Sequence, residues 1–126
     1  MGDRGNIKLV GKKCFPHPLY LYTHWGGSVM KDSLAEALAK GERWGDPQYL
    51  SRIIFQTLLR GDDGATGYGL STVLCDNEHL LLVVDLDAKT IWEEAEPGYE
   101  TGKGSIRKPI SFDEFLKQHK PKKEGD

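Results

Sequence analysis

Two short segments hold residue types able to do chemistry: Tyr22-Thr23-His24-Trp25-Gly26-Gly27 and Thr66-Gly67-Tyr68-Gly69. Trp25 and Tyr68 offer flat faces for stacking. The imidazole of His24 can give or take a proton near neutral pH. Gly26, Gly27, Gly67 and Gly69 let a ligand or another backbone approach closely, and such loops present N–H groups to anions. The plainer alternative is that Trp25 plugs the end of a core, His24 bonds to backbone and the glycine pair only turns the chain.

The standard phosphate-binding patterns are absent. In Gly64-Ala65-Thr66-Gly67-Tyr68-Gly69-Leu70-Ser71-Thr72 no Gly-Lys-Ser/Thr triplet occurs, which excludes the phosphate loop. The dinucleotide fingerprint needs a Gly three residues after Gly69, and that position is Thr72. Cys14 and His17 form one close pair, but no second pair joins them, so no metal site is expected. Gly-x-Ser-x-Gly is missing, and neither Ser71 nor Cys75 stands at motif spacing from a base. His24 is the one weak catalytic candidate, as a general base. The acidic turn Asp76-Asn77-Glu78 with His79 offers an acid–base group, against which a solvated hairpin tip is the plainer reading. Asp3-Arg4-Gly5-Asn6 reads as a solvated end that would neighbour His24 if the first two strands pair.

The elements that must position these residues follow from periodicity. Ile7 to Val10 reads as a first strand, Lys12 to Pro18 as a loop with two prolines, and Leu19 to Thr23 as a buried strand. Ser28 is placed to cap a helix running to about Lys40, with Met30, Leu34, Ala37 and Leu38 at helical spacing. Asp46 and Pro47 open a second helix, with Leu50, Ile53, Ile54 and Leu58 on its apolar face and Gly61 ending it. Gly67 to Cys75, His79 to Leu86 and Thr90 to Glu94 read as three strands of an antiparallel meander. The run Leu80 to Val84 lacks a polar partner and predicts a strand covered on both faces. Glu96 to Gly104 reads as a loop and Ser105 to Ile110 as a short edge strand. Ser111 and Glu114 form a capping box for a last helix. The order ββααβββ(β)α predicts an α+β fold, an antiparallel sheet of about five to six strands with two inserted helices and a C-terminal helix. Residues 1–118 form a single domain in this reading, and 119–126 a flexible charged tail.

Composition narrows the partners. The chain has 126 residues, 38% hydrophobic and 29% charged, as a single globular domain has. The formal net charge is −2 and the cations are scattered, which disfavours extensive nucleic-acid binding. One or two arginines still suffice for a small phosphate-bearing ligand. No window approaches the roughly 18–20 apolar residues of a membrane span, and no secretory leader is evident. Cys14 and Cys75 read as free, partly buried thiols in a reducing compartment, which together with the missing leader gives a cytoplasmic expectation.

Five segments, taken in order, carry a resemblance: Gly-Asp-Arg-x-Asn-Ile at 2–7, Tyr-Leu-Tyr-Thr-His-Trp-Gly-Gly at 20–27, Asp-Pro-x-Tyr-Leu-x-Arg-Ile-Ile-Phe at 46–55, Thr-Gly-Tyr-Gly-Leu-Ser-Thr at 66–72 and Asp-Asn-Glu-His at 76–79. Together they resemble a family of small uncharacterised proteins of bacteria and their phages, over residues 2 to about 87. The resemblance carries over no catalytic residue. It implies a phage setting, in which small accessory proteins counter host defences by binding a defence protein or trapping a nucleotide signal.

The expectation is therefore a non-catalytic protein that sequesters a nucleotide-like ligand, such as a cyclic nucleotide or ADP-ribose derivative. Trp25 or Tyr68 would stack the base, backbone near Gly26, Gly27, Thr66, Gly67 and Gly69 would meet it, and Arg4, Arg43 or Arg52 would hold phosphate. No cofactor is expected. The first alternative is a module that docks on a host enzyme and inhibits it, with the aromatic residues as a surface hot spot. The second is a small hydrolase or transferase using His24 as base. Edge strands of such a sheet also allow a homo-oligomer.

Overall fold

The computed structural model describes residues 2–95 and 106–119. β1 (Gly5–Gly11) and β2 (Phe15–Thr23) form a hairpin in which Gly5 faces Thr23 and Leu9 faces Leu19. β3 (Tyr68–Ser71) pairs with the last four residues of β2, Tyr20–Thr23. β4 (Leu81–Asp85) lies parallel to β1 and antiparallel to β5 (Thr90–Glu94), which pairs with the two-residue β6 (Ile110–Ser111). The described residues thus form an α+β fold around one mostly antiparallel six-stranded sheet, in the order β3-β2-β1-β4-β5-β6. No described helix is long and apolar enough to cross a membrane.

Two helices lie between β2 and β3 in the chain. A 3₁₀ turn at Gly27–Val29 leads into α1 (Met30–Ala39), and α2 (Pro47–Leu59) follows. Ser28 does not cap α1 as its position suggests. It sits within the 3₁₀ turn, and its side chain is drawn to Asp3 instead. At α2 the sequence signal holds: Asp46 is the cap residue and Pro47 opens the first turn, where no N–H partner is needed. The helix ends on Arg60 and Gly61, both left-handed, at φ 49° and 83°. α3 (Phe112–Gln118) opens on the expected cap, with the Glu114 N–H donating to Ser111 Oγ at 3.1 Å.

The pairing register puts Ile7, Leu9, Leu21, Leu82, Val84 and Ile91 on one face of the sheet. They join Leu34 and Leu38 of α1, Leu50, Ile54 and Leu58 of α2, and Phe112 and Phe115 of α3 in a single buried cluster. Burying each phenylalanine contributes about 1.5–3 kcal/mol, enough to pin the seven-residue α3. The opposite face carries Tyr20, Tyr22, Lys8, Val83 and Trp92. Val83 is fully buried between its register neighbours Lys8 and Trp92. All of Leu81–Val84 is therefore buried, as an unbroken apolar run requires.

Four local readings change. β2 begins at Phe15 within the expected loop. Pro16 and Pro18 are tolerated because β3 pairs only from Tyr20 onward, leaving that stretch of β2 an open edge. The segment Gly67–Cys75 is extended only over Tyr68–Ser71, and β3 sits at the sheet edge, not beside β4. Residues 72–80 carry the chain back past β2 and β1 to the start of β4, so of the three strands expected as a meander only β4 and β5 form a hairpin. Cys14 and Cys75, expected to be partly buried, are both exposed free thiols. The expected strand at Ser105 to Ile110 shrinks to Ile110–Ser111 among the described residues. The loop read at Glu96 to Gly104 lies outside them, as does the tail after His119.

Candidate functional site

Antiparallel pairing of β1 and β2 sets Gly5 opposite Thr23, which brings the residues before β1 beside those after β2. The Asp3 N–H donates to the His24 carbonyl at 2.7 Å, and the Gly27 N–H donates to the Asp3 carbonyl at 2.8 Å. β3 joins on the other side, and the His24 N–H donates to the Gly67 carbonyl at 2.8 Å. The returning segment then closes the end of the sheet. Asn6, almost fully buried, donates through Nδ2 to the carbonyls of Cys75 at 3.3 Å and Asp76 at 3.0 Å and to Asn77 Oδ1 at 3.3 Å. The Glu78 N–H donates to the Arg4 carbonyl at 2.9 Å, the Arg4 N–H donates to Glu78 Oε1 at 3.0 Å, and the Arg4 guanidinium lies 3.7 Å from Asp76 and 3.5 Å from Glu78. Residues 2–6, 23–28, 67–68 and 75–79 thus meet at one end of the sheet.

The two aromatic segments share this place. Trp25 is half-exposed, at 52%, and its six-membered ring lies over Gly67. Gly67 has φ +98°, and a Cβ there would stand 2.0 Å from the Trp25 ring, so glycine is required twice over. Tyr68 meets Trp25 edge-on with ring centroids 6.2 Å apart, and His24 meets it edge-on at 5.3 Å. His24 in turn has its Nδ1 3.0 Å from the Tyr22 hydroxyl. Burial first, and the nearby Asp76 carboxylate second, raise the Tyr22 pKa. Trp25 is thereby backed by the Gly67 peptide and remains half-exposed.

A polar cluster lies on the other side of the same backbone. Asp3 Oδ1 is 2.5 Å from His79 Nε2, and Asp3 Oδ2 accepts from the Ser28 N–H at 2.9 Å and from the Ser28 hydroxyl. The two Ser28 hydrogen bonds, then that of His79, hold the Asp3 carboxyl well below its ordinary range, at about 2. The Ser28 hydroxyl is given to the carboxylate and not to the imidazole, so it lacks the base an activated nucleophile needs. His79 and Ser28 line a cleft of about 380 Å³ shared with Met30, Lys31, Leu82, Glu93 and His119. In its wall Glu93, 8% exposed, accepts the Ile106 N–H at 2.8 Å and pairs with Lys31 at 3.0 Å. Burial lowers the His119 pKa, and Lys31 adds to this.

The sequence-derived candidates therefore divide. His24, Trp25, Gly26, Gly27, Gly67 and Tyr68 assemble at the end of the sheet. Thr66 is exposed beside them, and Gly69 lies within β3 opposite Tyr22. Arg4 is adjacent but shared between two carboxylates. Arg43 and Arg52 are elsewhere: they line a separate cleft with Lys40, the cap residue at the end of α1. The contact between Asp3 and His79 has no signal in the sequence. A solvated end and a hairpin tip show nothing of their contact until the 72–80 return is known. No group of three or more His, Cys, Asp or Glu suited to a metal occurs among the described residues. Comparison with known proteins finds no match to a family model, a curated protein or a solved structure.

Proposed function

We propose that this chain is a non-catalytic small-molecule-binding protein that holds a planar, nucleotide-like ligand with its base on Trp25. The observation that carries this reading is the Trp25 ring, half-exposed and backed by Gly67. Its position is fixed before any ligand arrives, so binding costs little ordering entropy. Base–aromatic stacking contributes about 1–3 kcal/mol per base in single-strand binders. Recognition rests on the ring more than on phosphate, because Arg4 is already shared by Asp76 and Glu78 and Asp3 adds a third carboxylate nearby. Sequestration of a cyclic nucleotide or ADP-ribose derivative, in the anti-defence setting that the motif resemblance implies, is the role we infer.

The test is incubation with a panel of nucleosides and nucleotide signals, followed by heating and analysis of what is released. Intact ligand is expected, with nucleosides retaining most of the affinity of their nucleotides. Trp25→Ala loses binding and His24→Ala keeps most of it. An altered product would instead revive His24 as a general base.

A second reading is supported by the edge strand. Among the described residues β3 has no neighbour on one side, and Leu70, Val73 and Trp25 are exposed along it at 57%, 62% and 52%. Such an edge suits strand addition by a partner protein or by a second copy. Under this reading the protein docks on a host enzyme, Leu70→Lys abolishes association, and the nucleotide panel gives nothing.

A further inference from the structure

A second concavity lies at the far end of α1. It has a volume of about 390 Å³ and is lined by Lys40, Glu42, Arg43, Tyr49, Arg52 and Gln56. Three of these are cations and one is a carboxylate. Arg52 donates through NH1 to the Gln56 amide oxygen at 2.5 Å, and Lys40 Nζ donates to Thr57 Oγ1 at 3.3 Å. Both partners are neutral. Among the described residues neither Lys40 nor Arg52 has a carboxylate within ion-pair distance, whereas Arg43 has Asp46 at 3.2 Å. The cleft therefore keeps positive charge in a protein whose formal net charge is −2.

The loop bearing Arg43 is built to hold it still. Trp44 Nε1 donates to the Leu38 carbonyl at 3.1 Å, and its ring meets Phe112 edge-on at 5.3 Å. Next to this anchor Arg43 takes φ 59°, a left-handed conformation costly for a residue with a side chain. That backbone places its guanidinium over the Tyr49 ring, 4.9 Å from the centroid. A cation oriented by an aromatic face loses less freedom on meeting a ligand. Guanidinium groups present paired N–H donors that match phosphate oxygens.

We propose that this cleft binds a phosphoryl-bearing small molecule, at a site separate from the Trp25 platform. The volume admits a ligand of metabolite size. Arg43 and Arg52 contact the phosphoryl oxygens, Lys40 adds charge at the rim, and Gln56 keeps the Arg52 fork in place.

The experiment is calorimetric titration with inorganic pyrophosphate at fixed ionic strength. Saturable one-to-one binding is expected, weakened at least tenfold in Arg43→Gln/Arg52→Gln and unchanged within twofold in Trp25→Ala. In parallel, the arginine Nε–Hε resonances of Arg43 and Arg52 shift with pyrophosphate in the unsubstituted protein while that of Arg60 does not. This second readout decides the question even if the double variant folds poorly. Absence of saturable binding, equal binding by the double variant, or shifts spread over all arginines would overturn the proposal.

Discussion

Asp3 and His79 are 76 positions apart in the chain and 2.5 Å apart in the fold, Oδ1 to Nε2. One carboxylate thereby ties the residues before β1 to those before β4, and through Ser28 to the turn before α1. It acts as the clip for the whole end of the sheet.

Asp3→Asn tests that clip. An amide keeps the shape but loses the charge that strengthens three hydrogen bonds. Because the group is partly solvated, a loss of about 1–2 kcal/mol is expected in denaturant unfolding. The pH dependence has a definite sign. The folded pKa of about 2 lies below the ordinary 3.8, so the stabilisation is complete above pH 3.8 and disappears as pH falls through about 2. The unsubstituted protein should lose stability over that window, and Asp3→Asn should lose less.

Gly67→Ala and Gly69→Ala form a matched pair. A Cβ at Gly67 meets the Trp25 ring at 2.0 Å and must also adopt φ +98°, while a Cβ at Gly69 meets nothing within 4 Å. Gly67→Ala is expected to destabilise by more than about 1 kcal/mol and to move the Trp25 ring. Gly69→Ala is expected to be close to neutral. Tryptophan fluorescence and thermal unfolding read both effects.

Asn6→Leu removes the donor that reaches Cys75, Asp76 and Asn77. The carbonyls of Cys75 and Asp76 are left short of a partner, at a cost of about 1–3 kcal/mol. Amide exchange at residues 75–79 should accelerate before that of β4. Equal acceleration throughout the sheet would argue against a local clasp.

The tryptophans separate stability from binding. Trp44→Ala removes the anchor between Leu38 and Phe112 and is expected to cost about 2–4 kcal/mol. Trp25→Ala removes a half-exposed ring and should cost under about 1 kcal/mol while abolishing ligand binding. If Trp25→Ala melts the protein as Trp44→Ala does, the ring is a structural plug.

How much was legible in the sequence follows from the range of each interaction. Asp46-Pro47 and Ser111 with Glu114 are local signals, decided within four residues, and both helices start where they indicate. Leu81 to Val84, all but the first residue of the apolar run, show their burial by composition alone. Ser28 misled because a long-range acceptor, Asp3, won its hydroxyl from the helix. The place of β3 was hidden for the same reason. A short connection of turn-forming residues suggests a hairpin, and nothing local reveals that Asn6 draws the 72–80 segment across the sheet. The aromatic segments were visible as residues, but their meeting over Gly67 depends on β3 pairing with β2. Asp3 with His79 depends on every one of these pairings at once.

That dependence sets a timetable. The platform at Trp25 borrows its backing from Gly67 and its frame from residues near positions 3 and 78, so it cannot exist in a fragment or in a half-closed sheet. Contacts so distant along the chain form slowly, after the local helices. During refolding, the Trp25 signal should arrive with the last phase, and ligand capture with it. A chain able to bind is therefore a chain that has finished folding, and ligand retention can serve as an assay for completion.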